Sequence, residues 1–213
     1  MDKIIPSFQK SLFDDNNDFL EDILEFGIDS VLEEGLLKDI PIVGFLVGTK
    51  NVVQNLQDRN LLNQTLQFIK EFNSGNIDEE KLSKYKVTIS NDSNKAEKEL
   101  GRVLLILNRI FDSKKSKILA NFYRNYINGK ISWKDFCELS SVLEMLFISD
   151  IEILEDIADN KLTDNEDIEL YPIDRLNALG LIRKNIAVWQ ESLDFNFLVL
   201  SPLGIKFIEC KDF

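Results

Sequence analysis

The chain has 213 residues, of which 44% are hydrophobic and 29% are charged, so it is too apolar to be a largely disordered protein. It contains no histidine, which excludes every catalytic triad built on imidazole and removes the commonest metal ligand. The net charge of −12 is distributed unevenly, because residues 1–72 sum to −7, residues 73–140 to +4 and residues 141–213 to −9. A basic middle between acidic ends predicts docking within the chain or, alternatively, a contact surface for an acidic partner.

Two features bear on the cellular compartment. The first 18 residues carry a short apolar patch followed by acids, without the basic start and long apolar stretch of a signal peptide. Only two cysteines occur, Cys137 and Cys210, each in an apolar helical context that favours a buried thiol over a disulfide. We therefore expect a cytoplasmic protein.

The N-terminal part is predicted to begin with an amphipathic helix, because apolar residues recur at three- and four-residue steps over 19–36 and Pro41 disfavours a helical residue before it. The most apolar segment follows at 40–48, but its nine residues are far fewer than the about 20 that a membrane crossing needs. Its Gly-x-x-x-Gly spacing would allow another backbone to approach closely. This segment is predicted to be a buried helix-packing site, with shallow membrane insertion or a partner-binding patch as alternatives, and its candidate residues are Pro41, Gly44, Phe45 and Gly48.

Further helices are predicted up to residue 131. Apolar stripes at helical spacing cover 52–72, 100–111 and 118–127, and a short helix begins after Asp78 as its N-cap. The polar run 90–94 is predicted to be a loop. These elements together predict an N-terminal helical bundle over residues 1–131.

Two segments of this bundle, 72–82 and 126–136, read alike, since each closes a helix with glycine and reopens one a few residues later. The second is similar to the tail of an EF-hand calcium loop. In that alignment Arg124 and Tyr126 occupy the positions of the first two oxygen ligands, which argues against calcium. We therefore predict a helix–turn–helix corner that is used twice, and no metal site.

The basic middle contains cations with aromatic neighbours. Lys117 and Arg124 are seven residues apart and so share a helical face, with Tyr123 and Trp133 near them in sequence. Aromatic rings beside cations can stack on bases or lie at a lipid headgroup layer, although such rings are more often core residues. The candidate contact surface consists of Lys114, Lys115, Lys117, Arg124, Lys130 and Lys134.

The C-terminal part has a mixed pattern. Capping-box spacings start helices at Ser132 with Asp135 and at Ser149 with Glu152. Later in the chain a helix is capped by glycine, two strands follow, and a final helix opens on a Ser-Pro pair. The predicted spans are 150–157 for a short helix, 170–179 for the glycine-capped helix, and 181–184 and 195–200 for the strands.

This order of helix, Gly-Leu-Ile, hairpin and Leu-Ser-Pro-Leu-Gly-Ile-Lys-Phe resembles the second half of a winged helix-turn-helix domain, over roughly residues 134–213. The resemblance implies a recognition helix at 170–179 and a wing near 187–194, with Arg175, Arg183 and Lys184 as the candidate contacts. The charge of −9 over residues 141–213 opposes phosphate binding, so these cations are expected on a solvated face or paired with neighbouring acids.

The sequence thus predicts a mainly α protein, with a helical bundle over 1–131 and a winged-helix module, α with a β-hairpin, over 132–213. Phosphate-binding glycine loops are missing, so we expect no enzyme, no catalytic residues and no cofactor. The predicted function is protein–protein interaction or regulation, with a protein partner or a second copy of the chain. The alternatives are a winged-helix DNA-binding regulator and a peripheral membrane factor. The layout is similar to uncharacterised bacterial proteins of mobile-element or phage-related regions, which suggests phage–host conflict.

Overall fold

The computed structural model describes residues 4–14, 40–48, 56–163, 169–186 and 196–211. These residues form ten helices and one two-stranded antiparallel hairpin, so the prediction of a mainly helical protein with a small hairpin is confirmed. The chain divides into two compact units, 1–133 and 134–213, whereas the sequence predicts the boundary between 131 and 132. The predicted helix over 19–36, the start of the stripe at 52–55 and the predicted wing at 187–194 lie outside the described residues.

The N-terminal unit is built around two long helices, α3 and α6, which pack along each other. α1 lies against α2, and both pack on α3. Apolar residues of α3 and α6, with Phe8 of α1, are fully buried and form the core. The helices are α1 Ile4–Leu12, α2 Pro41–Gly48, α3 Leu56–Ser74, α4 Glu79–Asn91, α5 Ser93–Leu107 and α6 Ser113–Ile127.

Aspartates at the helix starts explain where α4 and α5 begin. Asp78 accepts a hydrogen bond from the Lys81 amide at 3.0 Å, as expected for the predicted N-cap. Asp92 does the same for α5 through the Lys95 amide at 3.0 Å, while its own N–H still donates to Thr88 at the end of α4. One extended residue therefore joins the two helices, so the predicted break between helices is present but is confined to Asp92 instead of spanning 90–94, because Asp92 closes one helix and caps the next.

The two corners that read alike in sequence contact each other. The side-chain oxygen of Asn128, at the end of α6, accepts a hydrogen bond from the Asp78 amide at 3.0 Å. The Asn128 backbone carbonyl also accepts from the Lys81 ammonium at 2.6 Å. Gly129 follows with φ +68°, the left-handed conformation that ends a helix and that glycine adopts without strain. The two corners thus hold the start of α4 against the end of α6.

The C-terminal unit consists of four helices and the hairpin. The hairpin pairs Ile182 with Leu200 at one end and Ile186 with Asn196 at the other. Gly180 ends the third of these helices with φ +74°, and the Ser201 hydroxyl links that turn to the last helix by donating to the Gly180 carbonyl at 2.5 Å. The elements are α7 Trp133–Met145, α8 Ile148–Ala158, α9 Leu170–Ala178, β1 Ile182–Ile186, β2 Asn196–Leu200 and α10 Pro202–Lys211.

The start of α8 differs from the predicted capping box. The helix begins at Ile148 with Phe147 as its N-cap, so Ser149 lies inside the first turn. Asp150, rather than Glu152, accepts a hydrogen bond from the N-cap amide at 2.7 Å. The prediction at Ser149 is wrong because the carboxylate two residues before Glu152 takes the capping role, which places Asp150 inside the unit.

Candidate functional site

The predicted cationic surface divides between exposed and buried residues. Lys114, Lys117, Lys130 and Lys134 are exposed, whereas Lys115 and Arg124 are buried. Lys117 and Arg124 therefore do not share an exposed helical face. The reason is that α6 is the central helix of its unit and is buried on nearly all sides, so the assumption of one solvated face fails there.

Arg124 is 1% exposed and belongs to the core. Its guanidinium donates to the backbone carbonyl and the carboxylate of Glu71, on α3, and to the side chain of Asn121. Burial lowers the pKa of Arg124, and the Glu71 carboxylate opposes that change. Gly75 leaves room for the guanidinium, since a Cβ at that position would collide with it. Arg124 thus joins α3 to α6 and has a structural role.

A second polar cluster lies nearby in the same unit. The buried Glu99 carboxylate accepts hydrogen bonds from Tyr85 at 2.6 Å and from Tyr126 at 2.9 Å. The hydroxyls of Tyr85 and Tyr123 are 2.5 Å apart. Burial is the main cause that raises the pKa of both Tyr85 and Tyr123 above the ordinary value, so neither hydroxyl is prepared to act as a base. We assign this cluster to packing, in agreement with the expectation that the aromatic rings here are core residues.

The apolar segment forms the helix α2, Pro41–Gly48, which buries apolar side chains in the N-terminal unit. Ile42 and Val43 are fully buried, and the Ile42 amide donates to the Ser11 hydroxyl of α1 at 3.0 Å. Gly44 and Phe45 are half-buried, and Pro41 opens the helix. Gly48 ends it, but the surroundings of Gly48 lie outside the described residues. Of the helices in the described parts of the chain, none is both long and apolar enough to cross a bilayer.

In the C-terminal unit the candidate Arg175 forms a bidentate ion pair with Asp150. Its Nε donates to one carboxylate oxygen at 2.7 Å and its Nη2 to the other at 2.6 Å. The Asp150 side chain is fully buried, whereas that of Arg175 is 26% exposed. The hydrogen bond to Asp150 raises the pKa of Arg175 above its ordinary value. The planar pair fixes the guanidinium in one orientation, and the same carboxylate caps α8.

Two exposed aromatic rings flank this guanidinium. Its carbon atom lies 4.5 Å from the ring centroid of Phe147 and 5.7 Å from that of Tyr171. Phe147 is 60% exposed and Tyr171 is 61% exposed. We refer to Phe147, Tyr171 and Arg175 as the aromatic patch. Sequence reasoning missed Phe147, Tyr171 and Asp150 as members of one site, and the only signal was a single cation on a helix that starts with Leu-Tyr.

The two other candidate cations of this unit, Arg183 and Lys184, lie on β1. Arg183 is exposed on β1. Lys184 pairs with Leu198 across the hairpin, while its side chain lies outside what the structure describes. The exposed face of α9 carries Tyr171, Asp174 and Asn177 in addition to the edge of Arg175. A helix that reads nucleic acid uses cations and amides on such a face, and here the carboxylate of Asp174 lies among them.

Within the described ranges there is no cluster of three or more cysteine, aspartate or glutamate side chains that could hold an ion. Both cysteines remain thiols rather than a disulfide, with Cys210 buried and Cys137 half-buried.

The chain matches no protein-family model, and no curated protein and no solved structure is detectably similar to it.

Proposed function

We propose that this chain is a non-enzymatic interaction protein whose C-terminal unit is a winged-helix-like module that binds another protein. The observation that carries the proposal is the pairing of Arg175 with the buried Asp150, because it occupies the single cation of the helix that would otherwise face DNA. The proposed context, phage–host or mobile-element conflict, rests on the resemblance of layout.

The order of elements supports the winged-helix part of the proposal. Helices α8 and α9 are followed by the β1–β2 hairpin and then by α10, as the resemblance implies. The turn at Gly180 and the close approach of Gly204 to the Leu181 carbonyl bring hairpin and final helix together, since a Cβ at residue 204 would collide with that carbonyl. This packing keeps α9 at the edge of the unit with one face exposed.

Charge supports a protein partner rather than nucleic acid. Residues 134–213 contain 7 basic and 17 acidic side chains, a net charge of −10. Phosphate contacts provide most of the affinity of DNA-binding proteins, and a field of this sign repels phosphate. Winged-helix modules with exposed apolar groups and acidic character are suited to protein contact instead.

The proposal is tested by purifying the tagged full chain from its native host and analysing what co-elutes by mass spectrometry and nucleic-acid staining. We expect a stoichiometric protein that survives a high-salt wash and is lost when the C-terminal unit is disrupted by Asp150→Ala. A matched control is Asp159→Ala, which removes an exposed ion pair with Lys161 in the same unit. Recovery of DNA without protein, or of a monomer without any partner, would contradict the proposal.

A second candidate function, DNA binding by the same module, is favoured by one observation. Arg183 is exposed on β1 beside Lys184, where a winged helix contacts the DNA backbone. In that case the chain should bind DNA from upstream of its own coding region with an affinity that falls steeply with salt. Replacing Arg183 with glutamine should then weaken the binding, whereas it should not affect a protein complex made through α9.

A further inference from the structure

The aromatic patch is an exposed surface of the C-terminal unit that is built around an ion pair with a buried carboxylate. Its rings are about three-fifths exposed, yet the group between them is fixed by two hydrogen bonds to a fully buried carboxylate. The same carboxylate binds the backbone of Phe147. Exposed aromatic side chains on a rigid support lose little conformational freedom on binding, which is the property of residues that dominate protein interfaces.

The surroundings of the patch are acidic. A hydrogen bond with the Glu169 carboxylate raises the pKa of the Tyr171 hydroxyl above its ordinary value, and Asp174 is exposed one turn further along α9. Glu144 precedes Phe147 by three residues and is half-buried. A second copy of this unit would bring the same negative charge to the patch, and nucleic acid would bring more. A basic partner would instead be attracted and oriented.

These observations specify the partner more narrowly than the proposed function, on which this inference rests. We propose that the aromatic patch docks a basic peptide segment of another protein, in which lysine or arginine flanks an apolar or aromatic side chain. The apolar side chain covers the rings of Phe147 and Tyr171. The flanking cations pair with the carboxylates of Glu169 and Asp174.

The test uses the full chain and a phage-displayed library of random dodecapeptides as the probe. Peptides selected on the immobilised protein are sequenced, and the affinity of the best synthetic peptide is measured by fluorescence anisotropy at physiological salt. We expect a consensus that combines cations with an apolar or aromatic residue. Replacing Phe147 or Tyr171 with alanine should weaken binding by about tenfold or more, as for a hot-spot aromatic.

The matched control is Phe111→Ala, because Phe111 is a phenylalanine that is 78% exposed in the other unit. It should leave the affinity unchanged. Asp174→Lys probes charge without touching the rings, and it should lower the affinity for the basic peptide while raising it for an acidic variant of the same peptide. Circular dichroism and thermal melts confirm that each variant is folded, which is expected because the replaced side chains are exposed.

Each outcome separates this inference from the proposed function. Peptides that bind equally well to the Phe147 and Tyr171 variants would overturn the docking site and leave protein binding by another surface intact. A selected consensus that is acidic or lacks cations would overturn the partner class. A library that yields no binder would overturn the inference, whereas the proposed function fails only if the purification from the native host also yields no protein partner.

Discussion

Asp150→Ala should destabilise the C-terminal unit because three hydrogen bonds end on this carboxylate. Two come from Arg175 at 2.7 and 2.6 Å, and one comes from the Phe147 amide at 2.7 Å. Hydrogen bonds to a charged group contribute about 1.5–3 kcal/mol, and loss of an N-terminal cap costs about 1 kcal/mol. Breaking a buried ion pair costs about 3–5 kcal/mol, and the 26% exposure of Arg175 lets water solvate part of the remaining charge. We therefore expect a loss of about 3 kcal/mol, at the lower end of that range.

Native-state hydrogen exchange is the assay of choice, because it reports the opening of α8 and α9 separately from the N-terminal unit. The Asp150→Ala variant should exchange faster at the amides of both helices, and Asp150→Asn, which keeps the shape but not the charge, should lie between it and the unaltered chain. The control Asp159→Ala removes an exposed contact of 2.8 Å with Lys161 and should change little. If Asp150→Ala changed the exchange of α8 and α9 as little as this control does, the hydrogen bonds of the carboxylate would not stabilise the unit.

Three further predictions concern the N-terminal unit. Gly75→Ala should destabilise it by about 1–3 kcal/mol in urea titrations, because the new methyl group would displace the buried guanidinium of Arg124. Gly101→Ala should stabilise the chain by about 0.5–1 kcal/mol in the same titrations, because this helical position is in ordinary contact distance of a single Ile5 methyl at 3.6 Å, and a loss of stability there would contradict the packing described. Burial raises the pKa of Tyr85 and of Tyr123, so the folded state favours their protonated hydroxyls. Their contribution to folding stability is therefore fully present below the unfolded-state pKa of about 10 and is lost progressively as pH rises above it. Stability measured from neutral to strongly alkaline pH should fall beyond that point, and a fall of equal steepness after Tyr85→Phe would refute the assignment.

Sequence periodicity predicts the helices well where one side of the helix is apolar. The stripe at 118–127 lies in α6 and that at 100–111 lies in α5 as far as Leu107, where the helix ends, and Asp78 caps α4 as its position in the sequence indicates. Local patterns suffice here because the apolar spacing and the capping hydrogen bond both act within a few residues.

The burial of polar residues could not be predicted in the same way. Arg124 pairs with Glu71, which is 53 positions away in the chain, and Arg175 pairs with Asp150 across 25 positions. Nothing local distinguishes either arginine from a solvated one. The aromatic patch could not be predicted for the same reason, because Phe147 and Tyr171 become neighbours only when α8 and α9 pack together.

The joint at Asp92 has a consequence for variation among natural sequences. Since this residue both ends α4 and begins α5, the connection has a fixed length of one residue. With a residue inserted here, Asp92 could no longer supply both the amide that bonds Thr88 and the carboxylate that bonds the Lys95 amide, and the direct joint between the two helices would be lost. Insertions should therefore be rejected at this joint and tolerated after α8, where Asp159, Asn160 and Lys161 are exposed. A scan of single-residue insertions along the gene should find that insertions next to Asp92 are not tolerated, whereas insertions after α8 are.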